Sequence, residues 1–145
     1  MAFEQLRLFI DTWGWLTLED ASEPLHEVVD GIRREHAHGR GLWVTTDYVL
    51  DETITRLYAR RPAAEAETFV RHLFEARRAG MLIVEPITAE RFEKAWQLRL
   101  RYRDKPRISF TDLTSFVVMK ELGIRQVLTA DTHFAQVHLG FRKLP

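Results

Sequence analysis

The sequence predicts an α/β domain with a central parallel sheet flanked by helices on both faces. Three observations predict it. Short apolar runs alternate with longer helical patterns along the chain, as strands and crossover helices of a parallel sheet do. The short runs are apolar at nearly every position, which suits strands buried on both faces. Two of them end directly at an aspartate, Asp11 and Asp131, as expected where strands deliver functional groups to one sheet edge.

The elements follow in order. Leu6 to Ile10 is an apolar run broken by one arginine and ending at Asp11. Ser22 to His38 reads as a helix, with Ser22 as N-cap, Pro24 in the first turn and Gly39 after the end. Leu42 to Val44 is a short strand followed by Thr45 and Thr46. Asp47 to Arg60 is a helix with Val49, Leu50, Ile54 and Leu57 at helical spacing, stopped by Pro62. Ala63 to Ala79 is a second helix, with Gly80 beyond it, and Met81 to Val84 is a strand. Thr88 caps a helix to about Tyr102, and a polar loop runs from Arg103 to Arg107. Ser109 opens a helix through Leu122 that Gly123 ends. Gln126 to Thr129 is the strand before Asp131, and Phe141 to Leu144 is a last strand.

The chain of 145 residues fits one domain, spanning 1–145, without repeat, low-complexity tract or linker. Hydrophobic residues make up 46% and charged residues 29%, a globular composition. With no cysteine, a disulfide framework, a thiolate metal site and a cysteine nucleophile are excluded. The absence of an apolar membrane-length run and of a leader pattern leads to the expectation of a cytoplasmic protein, neither exported nor membrane-bound. Lys+Arg and Asp+Glu both number 21, so any hold on nucleic acid has to come from local positive charge.

Four segments place an acid beside apolar anchors: Phe9-Ile10-Asp11-Thr12, Leu50-Asp51-Glu52-Thr53, Ser109-Phe110-Thr111-Asp112 and Leu128-Thr129-Ala130-Asp131. A carboxylate near a core needs a cationic partner or a metal. Several carboxylates at one edge raise each other's pKa, and a divalent cation reverses that. Hard oxygen donors suit Mg²⁺ or Mn²⁺, and phosphodiester hydrolysis is the natural reaction. Each acid also has a structural reading. Asp112 stands three residues after Ser109, a capping-box spacing. Asp11 suits a turn or helix N-cap, Glu52 a solvated helix face, and Asp131 a loop. The set of four, in this order on this pattern, favours the metal site.

Together the four segments resemble the acidic motifs of PIN domains, most of all those of VapC-type toxins of bacterial toxin–antitoxin pairs. Asp11 matches the first motif and Glu52 the second, within Thr45-Thr46-Asp47-Tyr48-Val49-Leu50-Asp51-Glu52-Thr53. Asp112, followed by Phe116-Val117-Val118-Met119, matches the third, and Thr129-Ala130-Asp131-Thr132-His133-Phe134 the fourth. The resemblance runs from Leu6 to Leu144. It implies a PIN-like fold, an Mg²⁺ or Mn²⁺ site, endoribonuclease activity, a homodimer and a cognate antitoxin. On this reading Asp11, Asp112 and Asp131 are the main metal ligands, and Glu52 serves a second metal or a metal-bound water. The alternatives are a PIN-like RNA- or partner-binding module and a housekeeping nuclease. A phosphatase using an aspartate after its first strand requires a second aspartate two residues on, where Trp13 stands.

Around the acids, Thr12 and Thr111 are candidates to orient carboxylates or a metal-bound water, with Ser109 and Thr129 as further hydroxyls. Arg101, Arg103 and Lys105 lie in the densest basic stretch, which also holds Arg99 and Arg107, and are candidate RNA contacts. Helix-end capping explains such a stretch equally well. His133 is a candidate general base, though a lone histidine by a turn is more often a surface or packing residue. The six histidines show no zinc-binding spacing. Trp13 and Trp15 read as core aromatics before base-stacking ones. Leu57, Tyr58, Phe69 and Phe74 exceed what one helical face needs, which points to a dimer or antitoxin surface.

Overall fold

The computed structural model describes residues 6–145; the first five, on which the reading of no leader partly rests, lie outside the described residues. Five strands form one parallel sheet in the order β3-β2-β1-β4-β5: β1 (Arg7–Ile10), β2 (Leu42–Thr46), β3 (Leu82–Glu85), β4 (Gln126–Leu128) and β5 (Arg142–Leu144). The chain lays β2 and β3 on one side of β1, then returns to lay β4 and β5 on the other. The strand order therefore reverses between β1 and β4, and a crevice opens beyond their carboxyl ends. Pairing of Ile10 with Leu128 brings those two ends level, one residue before Asp11 and Thr129.

Helices α1 (Thr12–Glu19), α2 (His26–His38), α3 (Asp47–Arg60), α4 (Ala63–Arg78), α5 (Ala89–Arg101), α6 (Phe110–Leu122) and the single turn α7 (His133–Gln136) complete the chain. Their boundaries follow capping chemistry. The hydroxyls of Thr46, Thr88 and Ser109 accept from the amides of Val49, Arg91 and Asp112, satisfying donors that a helix start leaves free. Gly123, with φ of 67°, ends α6 in a conformation that costs glycine little. The core is continuous through Leu8, Phe9, Val44, Phe116, Val118 and Leu128. Helix α6 is its centre, with every residue from Asp112 to Met119 buried. Among the described residues no helix is long and apolar enough to cross a membrane.

Three helices depart from the sequence reading: α2 in its start, and α1 and the single turn α7, which that reading does not contain. The helix expected from Ser22 begins at His26, and Leu25 is its N-cap. Ser22 is taken by a tight turn instead: the Asp20 carboxylate accepts both its amide, at 2.9 Å, and its hydroxyl, at 2.6 Å. That local competition is characteristic of Ser and Asp. Helix α1 is absent from the element reading, although Asp11 suits a helix N-cap there. It is buried over Thr12, Gly14, Trp15, Leu16 and Thr17, so it has no polar stripe to give it a helical period. Its closeness to the sheet depends on Gly14, where a Cβ would meet the Leu128 carbonyl oxygen at 2.7 Å.

Candidate active site

The crevice beyond β1 and β4 is a cleft of about 370 Å³ lined by Asp11, Glu52, Asp112, Asp131, Arg56 and Arg107, with Thr12 and Trp13 on its wall. All four acids read from the sequence thus meet in one place. Asp11 leaves β1 at the N-cap of α1, yet its side chain makes no cap bond. The backbone before it is pinned, because the buried Thr45 hydroxyl donates to the Ile10 carbonyl at 3.0 Å and accepts the Trp15 indole N–H at 3.3 Å. Thr129 ties the two strand ends together: its hydroxyl donates to Asp11 Oδ2 at 2.9 Å and accepts the Asp131 amide at 3.0 Å.

Asp112 sits one turn into α6. The capping box is half formed, since Ser109 accepts the Asp112 amide, but no bond returns from the Asp112 carboxylate to Ser109 among the described residues. The carboxylate faces the cleft instead. Glu52 enters from α3 and pairs with Arg56 one turn on, at 2.9 Å. His133, at the start of α7, donates its amide to Asp131 Oδ1 at 2.8 Å. Its Nδ1 stands 3.0 Å from Asp131 Oδ1 and 3.6 Å from Asp112 Oδ2.

The electrostatics are those of a site short of positive charge. Burial pushes the Asp11 carboxyl up to about 6, against the pull of the Thr12 amide and Thr129 hydroxyl and with added push from Asp131 and Glu52. Asp112 is pushed higher, to about 9, first by burial, then by the Asp11 charge and by sharing its proton with Asp131. Among the described residues no lysine or arginine nitrogen lies within 4 Å of Asp11, Asp112 or Asp131. Two buried polar atoms here, Thr12 Oγ1 and His133 Nδ1, have no hydrogen-bond partner. Hard carboxylate donors, raised pKa values and unused polar atoms together fit a divalent cation.

Other expectations divide. Thr129 and Thr12 stand at the acids, whereas Thr111 does not line the cleft and its carbonyl accepts the Thr114 hydroxyl. Arg101, Arg103 and Lys105 lie off the cleft lining; from that basic stretch only Arg107 reaches it. Arg99 has a structural task, donating to the carbonyls of Tyr102, Lys105 and Ile108 and so holding the loop that carries Arg107. Trp15 is a core residue and Trp13 is half-buried at the cleft. Sequence reasoning missed Arg56, though its place four residues after Glu52 is a legible signal. It also undervalued His133, which two-residue spacing from Asp131 brings back to the acids.

This constellation, at the switch point of a five-stranded parallel sheet, defines a PIN-domain nuclease, and the PIN domain profile matches residues 8–139. The chain belongs to the PIN family and, within it, to the VapC-type nucleases of toxin–antitoxin pairs. It is 33% identical over 130 residues to the 23S rRNA-specific endonuclease VapC20 of Mycobacterium tuberculosis, covering 88% of this chain and 92% of that one. The crystal structure of that VapC20, described as a sarcin-ricin loop cleaving toxin, superposes with a TM-score of 0.76 at 30% identity, over 90% of this chain and 95% of the other. VapBC2 from Rickettsia felis, bound to a promoter DNA fragment, matches with a TM-score of 0.68 over 96% of this chain and 98% of the other, at 9% identity, which shows the shared fold alone.

Proposed function

We propose that this protein is the toxin of a toxin–antitoxin pair and a divalent-metal-dependent endoribonuclease, with ribosomal RNA as its substrate. The observation that carries the metal dependence is the convergence of Asp11, Asp112 and Asp131 with Glu52 in one cleft, without a lysine or arginine against the first three among the described residues. The substrate class rests on the likeness to a 23S rRNA-specific endonuclease.

Asp11, Asp112 and Asp131 would hold Mg²⁺ or Mn²⁺, with Glu52 serving a second ion or the water shell of the first. The bound ion supplies charge for the phosphate and lowers the pKa of the attacking water. The chain's own residues do the rest. Thr129 fixes the Asp11 carboxylate relative to Asp131, so their donor atoms need little reorganisation. Arg56 and Arg107 at the cleft provide the local positive charge that a chain of zero net charge needs for an RNA backbone. Arg101, Arg103 and Lys105, outside the cleft, serve flanking phosphates.

The cognate antitoxin, the homodimer and a cytoplasmic location belong to the same reading. For the dimer, support comes from α5, where Phe92, Trp96 and Leu100 are 48%, 49% and 39% exposed at successive four-residue steps. Tyr58 and Phe74 are also exposed, while Leu57 is buried. The decisive experiment for function is cleavage of ribosomal RNA by purified protein. Cleavage is expected to vanish in EDTA and return with Mg²⁺ or Mn²⁺; undiminished cleavage in EDTA overturns the metal mechanism.

A further inference from the structure

We propose that His133 is a nitrogen ligand of the metal site, making it a mixed nitrogen–oxygen centre that favours a transition-metal ion over Mg²⁺. The inference rests on the metal reading above and adds one residue and one selectivity to it.

Three observations place the imidazole there. One donor atom each from Asp112, Asp131 and His133 lie within 4.8 Å of one another. The Nδ1 separations from Asp131 Oδ1 and Asp112 Oδ2, 3.0 and 3.6 Å, suit adjacent ligands of one octahedral ion, which lie about 3 Å apart for bonds of about 2.1 Å. Nδ1 is also buried without a hydrogen-bond partner: near as Asp131 is, the approach is not aligned for a hydrogen bond. A histidine recruited only to brace Asp131 would put its Nδ1–H on that carboxylate. Here the bracing is done by the backbone, whose amide donates to Asp131 Oδ1 at 2.8 Å and leaves the ring nitrogen uncommitted.

A second unpartnered atom points the same way. Thr12 is 4% exposed, its Oγ1 has no partner, and it lines the cleft that Asp112 and Asp131 also line. A buried hydroxyl and a buried ring nitrogen left unsatisfied at one cluster of acids are costly unless a ligand completes them. The consequence for selectivity is chemical. Imidazole nitrogen is a softer donor than carboxylate oxygen, and it favours Mn²⁺ and later metals over Mg²⁺, which keeps to oxygen.

The test uses the full chain, Mn²⁺ as probe, and pulsed EPR to detect ¹⁴N coupling to the bound ion. The parent should show imidazole ¹⁴N coupling, and His133→Gln should bind Mn²⁺ without it. The Mn²⁺-over-Mg²⁺ preference, measured by competition, should fall about tenfold or more in the variant. His133→Asp, which restores an oxygen donor, should keep Mn²⁺ binding and also lack the coupling, so the result does not depend on one variant folding. Bound Mn²⁺ with no ¹⁴N coupling in the parent, or coupling that persists in either variant, overturns His133 as a ligand and leaves the carboxylate site standing. Failure of the parent to bind Mn²⁺ or Mg²⁺ at all overturns both readings.

Discussion

Helix α1 borders two cavities of opposite character. Its first turn, with Asp11 just before it, faces the acidic cleft of about 370 Å³. Its later residues Trp15 and Leu18 face a larger apolar groove of about 590 Å³, walled also by Trp43, Phe69 and Leu73. In the groove the aromatic rings meet edge to face: Trp15 lies 6.1 Å from both Trp43 and Phe69, and its indole N–H finds Thr45. Nothing there is left unsatisfied at Trp15, and its burial stabilises the fold. At the cleft, the same helix borders buried acids that repel one another and carries a buried hydroxyl, Thr12 Oγ1, without a partner. The larger cavity is the relaxed one. The proposed chemistry belongs to the smaller, where the fold keeps together groups that would separate if they could.

That contrast breaks most visibly under substitution of the acids. Asp11→Asn and Asp131→Asn should each cut RNA cleavage by at least about a hundredfold, because the metal loses a ligand that positions it. The metal-free variants should be no less stable than the parent, and more stable by ~1 kcal/mol where like-charge repulsion is relieved. Added Mg²⁺ should raise the melting temperature of the parent and much less that of the variants. Retained cleavage in either variant removes that residue from the site.

On the groove side the signs reverse. Trp15→Ala removes a buried ring and its hydrogen bond to Thr45, and should cost about 3–5 kcal/mol in a denaturant titration. What protein stays folded should retain its metal-dependent stabilisation. A loss below about 1 kcal/mol would show that the groove contributes little to the fold.

A titration of stability sharpens the comparison further. Asp11 and Asp112 have raised pKa values in the fold, about 6 and about 9, so above about pH 4 the folded chain binds more protons than the unfolded one. Stability of metal-free protein should therefore fall as pH rises through that window, by on the order of 5 kcal/mol between pH 5 and pH 8. Saturating Mg²⁺ should remove or reverse the slope, since the ion replaces the protons. The check is a set of melts across pH in EDTA and in Mg²⁺; identical slopes would mean the acids are not the metal site.

The smallest expected effects lie away from both cavities. Trp96→Glu on the exposed stripe of α5 should shift the protein toward monomer in light scattering while changing metal binding little. An unchanged dimer would move the interface elsewhere.

Much of this molecule was legible in the chain. Helices α5 and α6 were readable because Thr88, Ser109 and Gly123 carry local capping chemistry that acts wherever the chain lies, and α3 because Val49, Leu50, Ile54 and Leu57 keep helical spacing up to Pro62. Asp11 and Asp131 were readable as candidates for the sheet edge because apolar strands end at or just before them. Helix α1 was hidden because the core surrounds it, so burial erased the polar–apolar period that marks a surface helix. The start of α2 was misplaced because Ser22 had a nearer partner in Asp20.

The sequence by itself thus determined the fold class and the family, and it singled out four acids that the fold brings to one cleft, since these depend on local pattern and on residue order. Only the tertiary structure decided which cations face those acids. Arg107 reaches the cleft while Arg101, Arg103 and Lys105 do not, and Arg99 holds that loop through the carbonyls of Tyr102, Lys105 and Ile108. Only the tertiary structure, too, brought His133 Nδ1 back onto Asp112, twenty-one positions earlier in the chain. Proximity of that kind is fixed by strand order and helix packing, which no window of sequence contains.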